Sequence, residues 1–64
     1  MEVYIERSKT TETLEFTGSV IELLAKLVIN IEDVLVVKNG VLVTEDEQVE
    51  NTDTIRLLSV VSGG

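Results

Sequence analysis

Only one stretch of this 64-residue chain carries a helical repeat, and the segments around it are patterned for strands. Val20, Leu23, Leu24, Leu27 and Val28 fall at i, i+3, i+4, i+7 and i+8, a single apolar stripe. Glu22 and Lys26 stand four apart on the other side, where an ion pair is expected. Ser19 followed by Glu22 predicts a capping box, which would satisfy two of the free amides at the helix start. The helix is therefore expected from about Val20 to Ile29, with Asn30 ending it in a left-handed conformation. One helix has one stripe to bury, and a chain of this length has one sheet to bury it against.

The strands read from alternation. Glu2 to Arg7 places Val3 and Ile5 on one face and Tyr4 on the other. Ser8 to Thr11 is a polar turn, and Glu12 to Thr17 resumes the alternation with Leu14 and Phe16 inward, so the two runs predict an antiparallel hairpin. Asp33 to Lys38 is apolar and β-branched at nearly every position, and Asn39-Gly40 then predicts a type I′ turn into Val41–Val43. Counting back from Lys38 as a solvent position puts Leu35 and Val37 inside and Val34 and Val36 outside. Thr44 to Asp53 gathers Glu45, Asp46, Glu47, Glu50 and Asp53 around one apolar anchor, Val49, and ends in the turn Asn51-Thr52-Asp53. It has neither the glycine nor the spacing of a calcium loop, so it reads as a solvated face. Thr54 to Leu58 is the last strand, with Ile55 and Leu57 inward and Arg56 and Leu58 outward.

Strand, strand, helix, strand, short strand, strand implies an α+β fold. One helix lies across a mixed sheet of four to five strands, with the first and last strands parallel in its middle. That arrangement is a β-grasp. It occupies residues 1–59, leaving 60–64 as a flexible tail.

Composition narrows the chemistry. The chain has no Cys and no His, so disulfides, thiolate metal sites and a cysteine nucleophile are excluded, and no metal site is expected. Twelve acidic against five basic residues give a net charge of -7, which opposes nucleic-acid binding and favours a basic protein partner. Met1-Glu2-Val3-Tyr4 has no basic leader and no apolar run reaches spanning length, so a cytoplasmic monomer with no membrane association is expected.

The tail, Val60-Val61-Ser62-Gly63-Gly64, follows the last strand directly. Neither glycine has a Cβ, so the end can thread a narrow channel and bring a carboxylate close to another protein's backbone. A Gly-Gly end alone is a weak signal, and the scaffold gives it meaning. With this scaffold, with Val36-Val37-Lys38-Asn39-Gly40 before an acidic stretch and a turn, and with the ending Leu57-Leu58-Ser59-Val60-Val61-Ser62-Gly63-Gly64, the whole chain resembles the ubiquitin-like sulfur carriers of the ThiS/MoaD group.

The resemblance implies that an E1-like adenylating enzyme spends ATP on the Gly64 carboxylate, with Gly63 beside it. Sulfur then replaces an oxygen to give a thiocarboxylate for a downstream sulfur-accepting enzyme. It implies a carrier and substrate rather than an enzyme, with no catalytic residues and no bound cofactor. The chain has no phosphate-cradling loop, which agrees with a nucleotide site on the partner. Within the group, the ending is similar to carriers that feed tRNA 2-thiolation and to the small archaeal ubiquitin-like modifiers. Thiamine-thiazole and molybdopterin carriers more often have alanine where Ser62 stands. The alternatives are a modifier joined through Gly64 to lysines by isopeptide bonds, carriage for thiamine thiazole or molybdopterin synthesis, and an interaction module with an inert tail. Tyr4, Val36 (or Val34), Arg56, Leu58 and Val60 are expected to share the outer face of the sheet as a docking surface. Lys9, Lys26 and Lys38 are the candidate attachment sites if conjugates form.

Overall fold

The structure, a computed structural model, describes residues 1–60. In chain order these form β1 (Glu2–Ile5), β2 (Thr10–Thr13), β3 (Gly18–Ser19), α1 (Val20–Leu27), a 3₁₀ turn (Ile31–Asp33), β4 (Val34–Lys38), β5 (Val41–Val43), β6 (Gln48–Val49) and β7 (Thr54–Ser59). A five-stranded sheet has the order β2-β1-β7-β4-β5, in which β1 and β7 are parallel and every other pair is antiparallel. This is the β-grasp arrangement expected from the element order. A second pair, β3 with β6, joins the approach to the helix to the acidic segment; it is too short to leave a periodic signal.

The core lies between α1 and one face of the sheet. Val20, Leu23 and Leu24 of α1 pack with Val3, Val36, Ile55 and Leu57 of the three central strands, closed by Met1 and Val49. Ile5, Leu14, Phe16, Leu27, Ile29, Ile31, Val34 and Val43 pack around the rim. The helix starts as its sequence predicts. Ser19 Oγ accepts from Glu22 N–H, and Glu22 Oε1 accepts from Ser19 N–H at 3.0 Å. The Ser19 amide first, and the Ser19 hydroxyl, which donates to the same Oε1 at 3.0 Å, second, hold the Glu22 carboxyl below its usual range. Glu22 is thereby committed to the cap, and the expected Glu22–Lys26 pair is absent from the ion pairs of the described residues.

Four expectations are corrected. The β1–β2 turn is Glu6–Lys9, not Ser8–Thr11, because Lys9 takes a left-handed φ of 54° and its N–H closes on Glu6 O at 3.1 Å. β2 accordingly begins and ends early, and Leu14 and Phe16 reach the rim of the core from beyond it.

The helix ends at Leu27, and Val28, not Asn30, adopts the left-handed conformation, at φ 59° and ψ 45°. Val28 N–H donates to Ala25 O and Ile29 N–H to Leu24 O, a closure that turns Ile29 and Ile31 back onto the core. Val28 is consequently 90% exposed and does not extend the apolar stripe. Asn30 instead caps the 3₁₀ turn, accepting from Glu32 N–H at 2.9 Å. A β-branched residue is strained in this conformation by roughly 1–2 kcal/mol, and an exposed Val28 gains little from packing in return. Val28→Gly is therefore expected to stabilise the domain by about 1 kcal/mol after the entropy cost of glycine, read as a raised denaturant midpoint.

The third correction inverts β4. Val36 is 2% exposed in the core, opposite Leu57 and Val43, while Leu35 is 49% exposed. Lys38 misleads the count, since it lies on the core side at the rim. It pairs with the buried Ile55, and its Nζ reaches Glu47 Oε2 at 3.0 Å and Gln48 O at 2.9 Å. A lysine can run its apolar stem along a core margin and still place its charge in a polar setting.

The fourth concerns the acidic segment, which is solvated only in part. Glu45, Asp46 and Glu50 are exposed and Val49 is, as expected, the buried anchor, but Asp53 is only 9% exposed. Asn39 and Gly40 take φ 50° and 84°, as the type I′ reading requires. The Asn39 side chain then ties this hairpin to the start of β7. Its Nδ2 donates to Asp53 Oδ1 at 2.8 Å and its Oδ1 accepts from Thr54 N–H at 2.9 Å. Asp53 Oδ2 also accepts from Glu50 N–H at 2.8 Å.

The Asn39 bond first, and the Glu50 amide second, hold the Asp53 carboxyl below its ordinary value of 3.8. A depressed folded-state pKa adds stability that is fully present above the unfolded value and lost as pH falls through the folded one. Wild type is therefore expected to lose stability on acidification below about pH 4. Asp53→Asn should start less stable at neutral pH and fall off less steeply in acid, as chemical denaturation across pH would show.

Candidate functional site

The candidate site grows out of β7. This strand lies between β1 and β4, and its alternation divides the two faces of the sheet: Ile55 and Leu57 are fully buried while Arg56 is exposed. Its end is held from both sides. Glu6 N–H donates to Leu57 O at 3.0 Å and Ser59 N–H donates to Glu6 Oε1 at 2.8 Å, so the first residue of the turn after β1 fastens two positions of β7. Val60 N–H donates to Asp33 O at 3.1 Å, and the Arg7 guanidinium stands 3.7 Å from the Asp33 carboxylate. These bonds fix where the chain leaves the sheet. Gly63 and Gly64, the expected reacting end, lie outside the described residues.

On the outer face, strand pairing lays Tyr4, Arg56, Val37 and Leu42 in one row and sets Leu58 beside Leu35. Arg56 Cζ sits 5.6 Å from the centroid of the Tyr4 ring, within cation–π range, which places the charge over an otherwise apolar row. Leu35 is 49%, Leu42 62% and Val60 38% exposed. Tyr4, Arg56 and Leu58 therefore stand together as the sequence suggests, with Val60 two residues further on. Val36 does not, because it is in the core, and Val34 also packs towards it. Leu35, Val37 and Leu42 complete the row in their place. Pairing parity with β7 is the signal that would have found them: Leu58 reads as outward, and Leu35 is its partner.

Of the three lysines, Lys38 is bound to Glu47, whose hydrogen bond raises its pKa above the usual value. Lys9 and Lys26 are exposed. Among the described residues no group of His, Cys, Asp or Glu is placed to hold a metal ion, and no helix is long and apolar enough to cross a membrane.

A helix packed across a five-stranded mixed sheet, with parallel first and last strands at its centre, defines a ubiquitin-like β-grasp domain. The family model described as the ThiS family matches residues 3–64, and the chain belongs to that family. No curated protein matches it. The family comprises small ubiquitin-like sulfur carriers rather than catalysts, which typically work with activating enzymes and sulfur acceptors.

Proposed function

We propose that this chain carries sulfur on its C-terminal carboxylate. The carboxylate of Gly64 attacks the α-phosphorus of ATP in the site of an activating enzyme, pyrophosphate leaves, and an acyl-adenylate forms. Hydrosulfide then attacks the acyl carbon, AMP departs with the adenylate oxygen, the sulfur loses its proton, and the resulting thiocarboxylate passes to an acceptor. The order follows from reactivity, since a carboxylate at neutral pH resists nucleophilic attack until one oxygen becomes part of a good leaving group. The observation that carries the reading is the family match running through residue 64, on a chain whose central strand leads directly to that end. Gly63 gives the partner's channel a second position without a side chain. ATP belongs to the partner's site, and this chain supplies the acyl group and the surface that presents it.

Tyr4, Arg56, Leu58 and Val60, with Leu35, form the surface on which the activating enzyme docks. Leu58 lies beside Leu35, on the strand that leads to Gly64. Truncating an apolar interface anchor can cost about 2 kcal/mol, roughly 30-fold. Leu58→Ala is thus expected to raise the activating enzyme's KM for the chain by about that factor with little change in kcat. An unchanged KM would place docking elsewhere.

The acceptor pathway favoured by the Ser62-Gly63-Gly64 ending is tRNA 2-thiolation. Deletion of the gene should remove thiolated tRNA; auxotrophy for thiamine or loss of molybdenum cofactor, with tRNA thiolation intact, would transfer the carrier to those pathways. Lysine-linked adducts of Gly64 in place of a thiocarboxylate would make the chain a protein modifier.

A further inference from the structure

β5 is the last strand of the five-stranded sheet, with β4 on one side and, among the described residues, no strand on the other. Across the Asn39-Gly40 turn, Lys38 faces Val41, Val37 faces Leu42 and Val36 faces Val43. In a two-residue hairpin the pair beside the turn exchanges hydrogen bonds and the next pair does not. Leu42 therefore directs its N–H and C=O away from β4, to the open edge. The same strand carries two highly exposed apolar side chains, Val41 at 63% and Leu42 at 62%. The opposite edge, β2, is Thr10-Thr11-Glu12-Thr13, polar throughout, in the manner by which sheets discourage unwanted pairing. β5 lacks that protection.

Charge selects the occupant. Glu45 and Asp46 follow β5 closely, are exposed, and form no salt bridge among the described residues, whereas Glu47 is neutralised by Lys38 at 3.0 Å. A second copy would bring its own uncompensated acids to the seam, and each copy carries a net charge of -7. We propose that the β5 edge takes up an extended, basic segment of a partner protein as a sixth strand. Leu42 would exchange both backbone bonds with it, and Val41 and Leu42 would each meet an apolar side chain. Glu45 and Asp46 would pair with a lysine or arginine at one end and so set its direction. This edge lies two strands away from β7, so the inference does not depend on chemistry at Gly64.

The test is a titration of the isotope-labelled chain with a capped peptide, Lys-Thr-Val-Val-Thr-Lys, whose adjacent valines face opposite sides of the added strand, followed by amide chemical shifts. Three companions accompany it: a peptide N-methylated at alternate residues, a peptide with glutamate for lysine, and the E45K/D46K double variant of the chain. Saturable shifts centred on the Leu42 amide are expected. N-methylation or glutamate should abolish them, and charge reversal on the chain should weaken binding at least tenfold. Shifts centred on Tyr4 and Arg56, equal binding of the N-methylated peptide, or no binding at millimolar peptide would overturn the proposal. Dimerisation of the chain through Leu42 would do the same by assigning the edge to a second copy.

Discussion

Removal of Gly64 is expected to abolish adenylation outright while leaving the folded domain unchanged. The buried core and the bonds that hold the end of β7 lie within Met1 to Val60, so the truncated chain should keep its denaturant midpoint. The carboxylate would then sit on Gly63, about 3.5 Å short of its former position. A displacement of about 1 Å can cost about 100-fold in a reaction that depends on positioning, so one lost residue should leave no activity above background in ATP–pyrophosphate exchange. Gly64→Ala separates reach from bulk. It restores the length but adds a Cβ, and a partial loss there beside a complete loss on deletion would show that both matter. Full activity of the truncated chain would rule out C-terminal chemistry at Gly64.

The second large effect concerns the two faces of β4. Val36→Asp is expected to unfold the chain, whereas Leu35→Asp, one residue away, should leave it folded. Val36 is 2% exposed between Leu57 and Val43, and a carboxylate there would be buried without a partner. The penalty is at least about 3 kcal/mol, against a total stability of about 3–5 kcal/mol for a domain of this size. Leu35 is 49% exposed on the other face, where a polar replacement should cost under about 1 kcal/mol. Leu35→Asp should instead weaken activation by the partner, since Leu35 borders Leu58 on the face proposed to dock it. Circular dichroism on the two variants distinguishes the faces directly. The reverse pattern, with Val36→Asp folded and Leu35→Asp unfolded, would restore the parity that counting from Lys38 suggests.

That parity shows where sequence reading reaches its limit. β1 and β7 mix apolar with polar residues in a period of two, and their faces are legible: Val3, Ile55 and Leu57 are buried as expected. β4 offers four consecutive apolar residues, Val34 to Val37, so only its flanking Lys38 suggests a phase, and that lysine stands on the core side. The helix start was legible because Ser19 and Glu22 act locally. Its end was not, because the pull of Ile29 and Ile31 towards the core forces Val28 into a conformation that its side chain disfavours. Asn39-Gly40 could be read as a turn from its backbone requirements. Its long-range role in tying Asp53 and Thr54 depends on residues 14 and 15 positions away that only the folded sheet brings near.

The candidate site divides in the same way. Tyr4, Arg56 and Leu58 could be placed from alternation alone, since each belongs to a strand with a clear period. Leu35, Val37 and Leu42 belong to the β4–β5 hairpin and inherit its ambiguity. The fastening of the strand end by Glu6 and Asp33 has no local signature, because it joins residues far apart in the chain: Glu6 to Ser59 and Asp33 to Val60.

The measurement that bears most directly on the carrier proposal is the intact mass of the chain after incubation with ATP, a sulfide source and a ThiS-type activating enzyme, followed by fragmentation. A gain equal to one oxygen replaced by one sulfur, confined to Gly64 and absent when ATP is withheld, is expected. An unchanged mass across several competent activating enzymes, or a gain located on any other residue, would contradict it.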